Sequence, residues 1–349
     1  MSQIGQDRVH LVGSIAMASC EDVFREVSAV LGPLIDKLPD GETGERSRWI
    51  YFQRTMLENH PAMEIDPDAE PLKLYQWDGV LLRETPLLRF RAGVDLSAVT
   101  FPTGYEAAAR ESFSVFERLQ QDGTVPPHVR FQVCLPTPMA SGYMYVSPNA
   151  REAYLEVYMR SLLAALAAIL EAVPVEKLAI QFDVCQEVLL FEDYFPQRPD
   201  DYEQQVFEEL ATLGDAVPES VPMGYHLCYG SPYDQHLVMP KDAGVLARIM
   251  AGGFATTSRR VDFVHLPVPR DRTDDAYFAP LASVEVPQQT RLYLGLIHHD
   301  DEVGDRRRIE AARKLVPAFG IATECGWGRT DPARVPGLLE SHRRAADHI

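Results

Sequence analysis

The sequence predicts an α/β fold: a single (β/α)8 TIM barrel over residues 1–349, with an irregular insertion or lid around residues 60–128. Three observations predict it. Short β-rich runs alternate with amphipathic segments, which implies a parallel sheet wrapped in helices. Eight such runs can be counted, which favours a closed barrel over an open, doubly wound sheet. A length of 349 residues is large for an ordinary domain but common for one barrel.

In chain order, the first strand ends in His10-Leu11-Val12-Gly13-Ser14, and residues 21–31 carry helical spacing through Val23, Phe24, Val27, Val30 and Leu31. Residues 34–38 form a second strand running into Asp40-Gly41-Glu42, and a helix is expected over 46–57. Residues 60–128, rich in Pro, Asp and Glu, lose the pattern and read as the insertion. It returns with a third strand at 129–135, after which Ser147-Pro148 opens a long helix ending near 172. Ser can cap such a helix and Pro fits its first turn. Strands at 178–183, 223–227, 261–265, 292–297 and 320–323 follow, with helices near 201–216, 241–251, 305–316 and 332–346 between and after them.

Apolar residues make up 46% of the chain and charged ones 24%, as in a soluble globular protein. The most apolar stretch, residues 161–170, is too short to span a bilayer, and no basic-then-apolar leader opens the chain. A net charge of −18 argues against nucleic acid or an anionic membrane as partner. The five cysteines are odd in number and widely spaced, the pattern of a reduced, cytoplasmic protein rather than a disulfide framework. Cys20 and Cys134 are expected to be core residues. No glycine-rich phosphate loop follows any strand, which weakens nucleotide-binding readings.

Chemistry concentrates where a barrel keeps its active site, at the C-terminal strand ends. Strand one ends in Gly13-Ser14, strand two in Asp40-Gly41-Glu42, and strand four in Asp183 with Glu187 beyond. Strand five ends in His226 and Cys228, strand six in His265, strand seven in His298-His299-Asp300-Asp301, and strand eight in Glu324-Cys325-Gly326. Each has a plain structural reading: Asp183 as a turn former, the His pair as exposed loop, Cys325 as a core thiol. Together they are harder to explain that way. His226 and Cys228 stand two apart at a strand end, so they point the same way. With Cys325 from another strand end they offer one imidazole and two thiolates, a set that suits zinc with an open position.

These motifs, in this order, resemble the catalytic domain of cobalamin-independent methionine synthases and their single-domain relatives. Val12-Gly13-Ser14 resembles that family's opening. Asp40-Gly41-Glu42-Thr43-Gly44-Glu45-Arg46, continuing to Tyr51-Phe52, is similar to its Gly-Glu-x-Glu-Arg segment, and Ile180-Gln181-Phe182-Asp183 to its Ile-Gln-Ile-Asp strand. His226-Leu227-Cys228 matches its His-x-Cys, and Glu324-Cys325-Gly326, with Arg329 beyond, its Asp-Cys-Gly.

The resemblance implies a zinc enzyme of methionine biosynthesis, a methyltransferase or alkyltransferase. Ser14, Glu42 and Asp183 would hold the amino-acid part of a homocysteine-like thiol, and zinc would lower the pKa of that thiol. His298 falls near the family's proton-donating His; it, or an acid near Asp300, would protonate the leaving group. Where the family has a Glu zinc ligand stands His265, which can also bind zinc. The expected metal set is therefore His226, Cys228, His265 and Cys325, with a less negative charge and a weaker thiolate nucleophile. The extra N-terminal barrel with which long members hold polyglutamyl folate has no counterpart in this sequence, so other alkyl donors are in view.

The expected partners are a small-molecule thiol and an alkyl donor, with no nucleic acid and no membrane, in a monomer or homodimer. Three other readings stay open: zinc-dependent addition of a thiol to an epoxide-type electrophile, a metal-free decarboxylase-like barrel acting on a carboxylated substrate, and a non-catalytic small-molecule binder.

Overall fold

The computed structural model describes residues 7–232 and 235–349. Its strands are β1 (Lys37–Pro39), β2 (Met63–Ile65), β3 (Leu72–Tyr75), β4 (Leu81–Thr85), β5 (Leu88–Phe90), β6 (Arg130–Pro136), β7 (Leu178–Val184), β8 (Met223–Leu227), β9 (Phe263–Pro267), β10 (Arg291–Ile297) and β11 (Gly320–Thr323). Seven of them form one curled, wholly parallel sheet in the order β1-β6-β7-β8-β9-β10-β11. β6, β7 and β8 are buried along nearly their whole length, as strands covered on both faces must be.

Helices connect these strands. Cys20–Leu31 begins where Ser19 Oγ accepts the Asp22 N–H at 3.2 Å, and it turns Val23, Phe24, Val27 and Leu31 into the core. Pro148–Ala172 has the length and composition to cross a bilayer, yet Tyr154, Val157, Leu162 and Ile169 are buried in the protein.

Three expectations need correction. Among the described residues the sheet has seven strands rather than the expected eight: the N-terminal run touches it through isolated bridges, Val9 to Ile321 and Ile15 to Trp327. It also bonds to the opposite edge, with Val9 N–H donating to Leu34 O and Ile15 N–H to Gly41 O. Between these main-chain bonds, two of its carbonyls go to side chains. The Leu11 and Val12 carbonyls accept from the amides of Gln132 (3.0 Å) and Gln181 (2.6 Å) instead of from a neighbouring strand.

The insertion is also narrower than expected. Residues 60–128 hold two short antiparallel pairs, β2 with β5 and β3 with β4, but then an ordinary helix, Tyr105–Gln121, whose Phe113, Phe116 and Leu119 face the core. The helix expected over 46–57 is split. Gly44–Arg48 is a 3-10 turn and Tyr51–Asn59 the helix proper, because Trp49 between them has φ 52°. One helix, Pro138–Tyr145, carried no periodic signal, since every residue in it is buried.

Candidate metal centre and substrate pocket

His226 is the fourth residue of β8 and Cys228 lies just past its end, while Cys325 follows β11. One ligand atom from each lies within 4.8 Å of the others. Cys228 Sγ is 3.6 Å from Cys325 Sγ. On a flat sheet β8 and β11 would stand three strand spacings, about 14 Å, apart; only the curl brings the thiols together. The Cys325-Gly326 turn lies directly on Ser14: a Cβ on Gly326 would come within 2.5 Å of Ser14 Oγ and 2.9 Å of its backbone nitrogen. Arg329 fastens the same turn, donating to Cys325 Sγ (3.4 Å), Gly326 O (3.2 Å) and Ser231 O (3.0 Å).

The Cys185 side chain, neighbour to Cys228 across the β7–β8 pair, and burial push the Cys228 thiol up. The Cys228 side chain and burial do the same to Cys325. This His/Cys/Cys group can bind a metal ion, whose charge would replace the two thiol protons.

His265 stands elsewhere. It is the register partner of His226 on the adjacent strand, wholly buried beneath it and outside the three-residue group. Its Nδ1 is 2.7 Å from His226 Nδ1 and its Nε2 is 2.9 Å from Thr323 O. Both its ring nitrogens have partners, and the group whose ligand atoms converge is His226, Cys228 and Cys325, without the expected fourth member.

Around the group runs a pocket lined by Ser14, Glu42, Trp49, Asp183, Cys185 and Arg329. Glu42 projects from a tight loop after β1. Gly41 has φ 78° and packs where a Cβ would strike Val23, and Glu42 itself has φ 47°, unusual for a residue with a side chain. Asp40 holds that loop: its Oδ1 accepts the Glu42 N–H at 2.9 Å, and its Oδ2 accepts from Ser112 Oγ at 2.7 Å and pairs with Arg46. Two left-handed non-glycine residues so close together, Glu42 and Trp49, mark stored strain of the kind found at functional sites.

Across the pocket, Asp183 accepts from Trp49 Nε1 at 3.1 Å and from Gln181 Nε2 at 2.8 Å. Burial pushes the Glu42 carboxyl up to about 8, with the Asp183 charge adding to it. Burial likewise raises Asp183 to about 8, against the lowering pull of Gln181. Two buried carboxyls held in this state favour a cation between them.

His298 lies in a second cavity, which meets the first at Ser231, Cys325 and Gly326. Its Nε2–H donates to Val268 O at 3.0 Å, its backbone N–H to Asp305 Oδ1 at 3.0 Å, and burial lowers it to about 4. Asp300 is only at that cavity's rim, in a left-handed turn, its carboxylate 84% exposed and 3.3 Å from His299 Nδ1.

The structure thus gathers Ser14, Glu42, Asp183, His226, Cys228 and Cys325 round one pocket. It sets His265 beneath, His298 next door and Asp300 at the edge. Reasoning from sequence missed the donor role of Trp49, the presence of Cys185, and His236, whose Nε2 lies 2.7 Å from Glu324 Oε2. Burial pushes Glu324 up, but His236, His298 and Arg308 outweigh it and hold it at about 2. Cys185, two residues beyond Asp183 and just past the end of β7, was the findable one. His236, in an irregular loop, carried no such signal. Of the two cysteines expected in the core, Cys134 is buried and Cys20 only partly so.

No family model and no curated protein matches the chain. Solved structures do. One from Listeria monocytogenes, described provisionally as a vitamin-B12-independent methionine synthase, aligns over 99% of both chains at 17% identity with a TM-score of 0.61. Another, a B12-independent methionine synthase from Shewanella sp. W3-18-1 in complex with selenomethionine, aligns over 94% of this chain and 87% of its own at 14% identity and a TM-score of 0.59. The chain shares, from end to end, the fold of these methionine synthase structures.

Proposed function

We propose that this protein transfers a methyl or other alkyl group to a small-molecule thiol at a zinc centre; the structures it resembles in fold are named B12-independent methionine synthases. The observation that carries the reading is the convergence of His226, Cys228 and Cys325 within 4.8 Å, at the wall of a pocket holding two buried carboxyls. One imidazole and two thiolates fit zinc and leave a fourth position for substrate. Zinc held there supplies a lowered thiol pKa, and so a thiolate nucleophile at neutral pH.

The chain's own residues supply recognition and proton handling. Glu42 and Asp183 pair with the ammonium of a homocysteine-like substrate, and Trp49 and Gln181 keep the Asp183 carboxylate aimed at it. Arg329 holds the Cys325 turn against Ser14. His298 protonates the leaving group from the adjoining cavity. Its Nε2–H is committed to Val268 O and burial keeps the ring neutral, so Nδ1 is the nitrogen that first takes up the proton released by the substrate thiol and then passes it on. Exposed Asp300 has no part in this scheme. The same reading takes residues 8–14, bonded to both sheet edges, as the eighth stave of a TIM barrel, so that every residue named lies at its C-terminal mouth. A monomer or homodimer in a reducing cytoplasm would suffice.

Metal analysis of reduced protein, purified without chelator, tests the proposal. Stoichiometric zinc is expected in the wild type and its loss, together with thiol alkylation, in Cys228→Ser and Cys325→Ser. Folded wild type that stays metal-free after incubation with zinc would overturn the scheme and return the decarboxylase-like reading to the front.

A further inference from the structure

We infer that His265 is a positioning residue, which selects the tautomer of His226 and so the nitrogen that His226 offers to a metal; this rests on the metal-centre reading above. The argument is one of donors and acceptors. Thr323 O can only accept, so the 2.9 Å contact requires a proton on His265 Nε2. His265 is wholly buried and its ring nitrogens meet His226 and Thr323 O rather than a carboxylate, so it is a neutral imidazole whose Nδ1 is a bare lone pair. The 2.7 Å contact between the two Nδ1 atoms must therefore be a bond donated by His226 Nδ1–H. A neutral His226 protonated at Nδ1 has its lone pair at Nε2, the only atom left for a metal.

The surroundings are arranged to keep this geometry. Register pairing sets His226 and His265 side by side on β8 and β9. Thr323 ends β11 two residues before Cys325, and its Oγ1 donates to Cys325 O at 2.7 Å. Gly295, where a Cβ would come within 2.9 Å of Thr323 O, leaves that carbonyl clear in a stretch where the β10–β11 register shifts. Through His265, then, the strand carrying His226 is tied to the strand carrying Cys325. Direct ligation by His265 would break one of these two bonds and strand a buried partner.

Zinc affinity, measured by competition with a chromophoric chelator, tests the inference in His265→Leu and His265→Gln. Leu fills the space without accepting a proton and is expected to weaken binding about 10- to 100-fold. Gln can accept from His226 through Oε1 and donate to Thr323 O through the amide hydrogens on Nε2, so it should restore most of the loss. Cobalt loaded in place of zinc should show the same thiolate-to-metal absorption and ligand field in both variants at saturation. Nitrogen NMR of the wild type should find the His226 proton on Nδ1. Equal affinity in wild type and His265→Leu, a His226 proton on Nε2, or loss of one nitrogen ligand from the cobalt site in His265→Gln would each overturn it. Wild type that takes up neither metal defeats the metal-centre reading itself, and the positioning role with it. If His265→Leu does not fold, the Gln variant and the NMR assignment decide alone.

Discussion

Replacing Glu42 by Gln should flatten the pH dependence of stability in the ligand-free protein. The Glu42 carboxyl is moved by burial from 4.5 to about 8, so the native state holds a proton that the unfolded chain releases near 4.5. A folded pKa raised in this way favours the native state below pH 4.5, and the contribution is lost as pH rises through about 8. At about 1.4 kcal/mol per pH unit, the full span is worth about 5 kcal/mol. With an unfolding entropy of roughly 2 cal/mol/K per residue, a chain of 349 residues converts that into about 7 °C of melting temperature. Melting curves recorded from pH 4 to 9 should show the wild type falling by about this much relative to Glu42→Gln. An amine-bearing ligand that pairs with the carboxylates should reverse part of the fall. Curves that run parallel across the range would refute the idea that Glu42 is held protonated.

Three further outcomes are expected. Trp49→Phe removes the N–H that Asp183 accepts at 3.1 Å and should raise KM for the thiol by the equivalent of about 1.5–3 kcal/mol, with kcat less affected and the fold intact; an unchanged KM in steady-state assays counts against the donor role. Gly326→Ala forces a Cβ onto Ser14, so titration with zinc should find weaker binding along with a stability loss of about 1–3 kcal/mol. Arg308→Met breaks a fully buried guanidinium that donates to Leu296 O at 2.8 Å and Asp301 Oδ2 at 2.9 Å. Calorimetry should show about 3–5 kcal/mol of destabilisation, while zinc affinity in the folded fraction stays as in the wild type.

The parallel strands were legible because burial on both faces writes them as continuous apolar runs. β8 falls where it was expected, and β6, β7 and β10 within a residue or so. The N-terminal run has the same apolar composition, but it meets the sheet only through isolated bridges, and its Leu11 and Val12 carbonyls go to Gln132 and Gln181, more than a hundred residues away. No local pattern carries that. The site divides the same way. His226 and Cys228 were readable because a spacing of two puts side chains on one face. His265 looked like a ligand because a histidine at a strand end offers a nitrogen; where both its nitrogens go depends on Thr323 and His226. Asp300 ended a strand in sequence terms, yet the left-handed turn at its own position puts its carboxylate outside.

The contact between Cys228 and Cys325 spans 97 positions of sequence and unites ends of strands that a flat sheet would keep well apart. An ion bridging them would act as a cross-link across the C-terminal part of the chain. Closing a loop of that size constrains the unfolded ensemble by an amount comparable to a disulfide, about 4–5 kcal/mol. By mass action, a thousandfold excess of the ion over its dissociation constant would add about 4 kcal/mol to stability. The site would then serve as a clasp as well as a reaction centre, and a chelator would loosen the curl of the sheet that creates it.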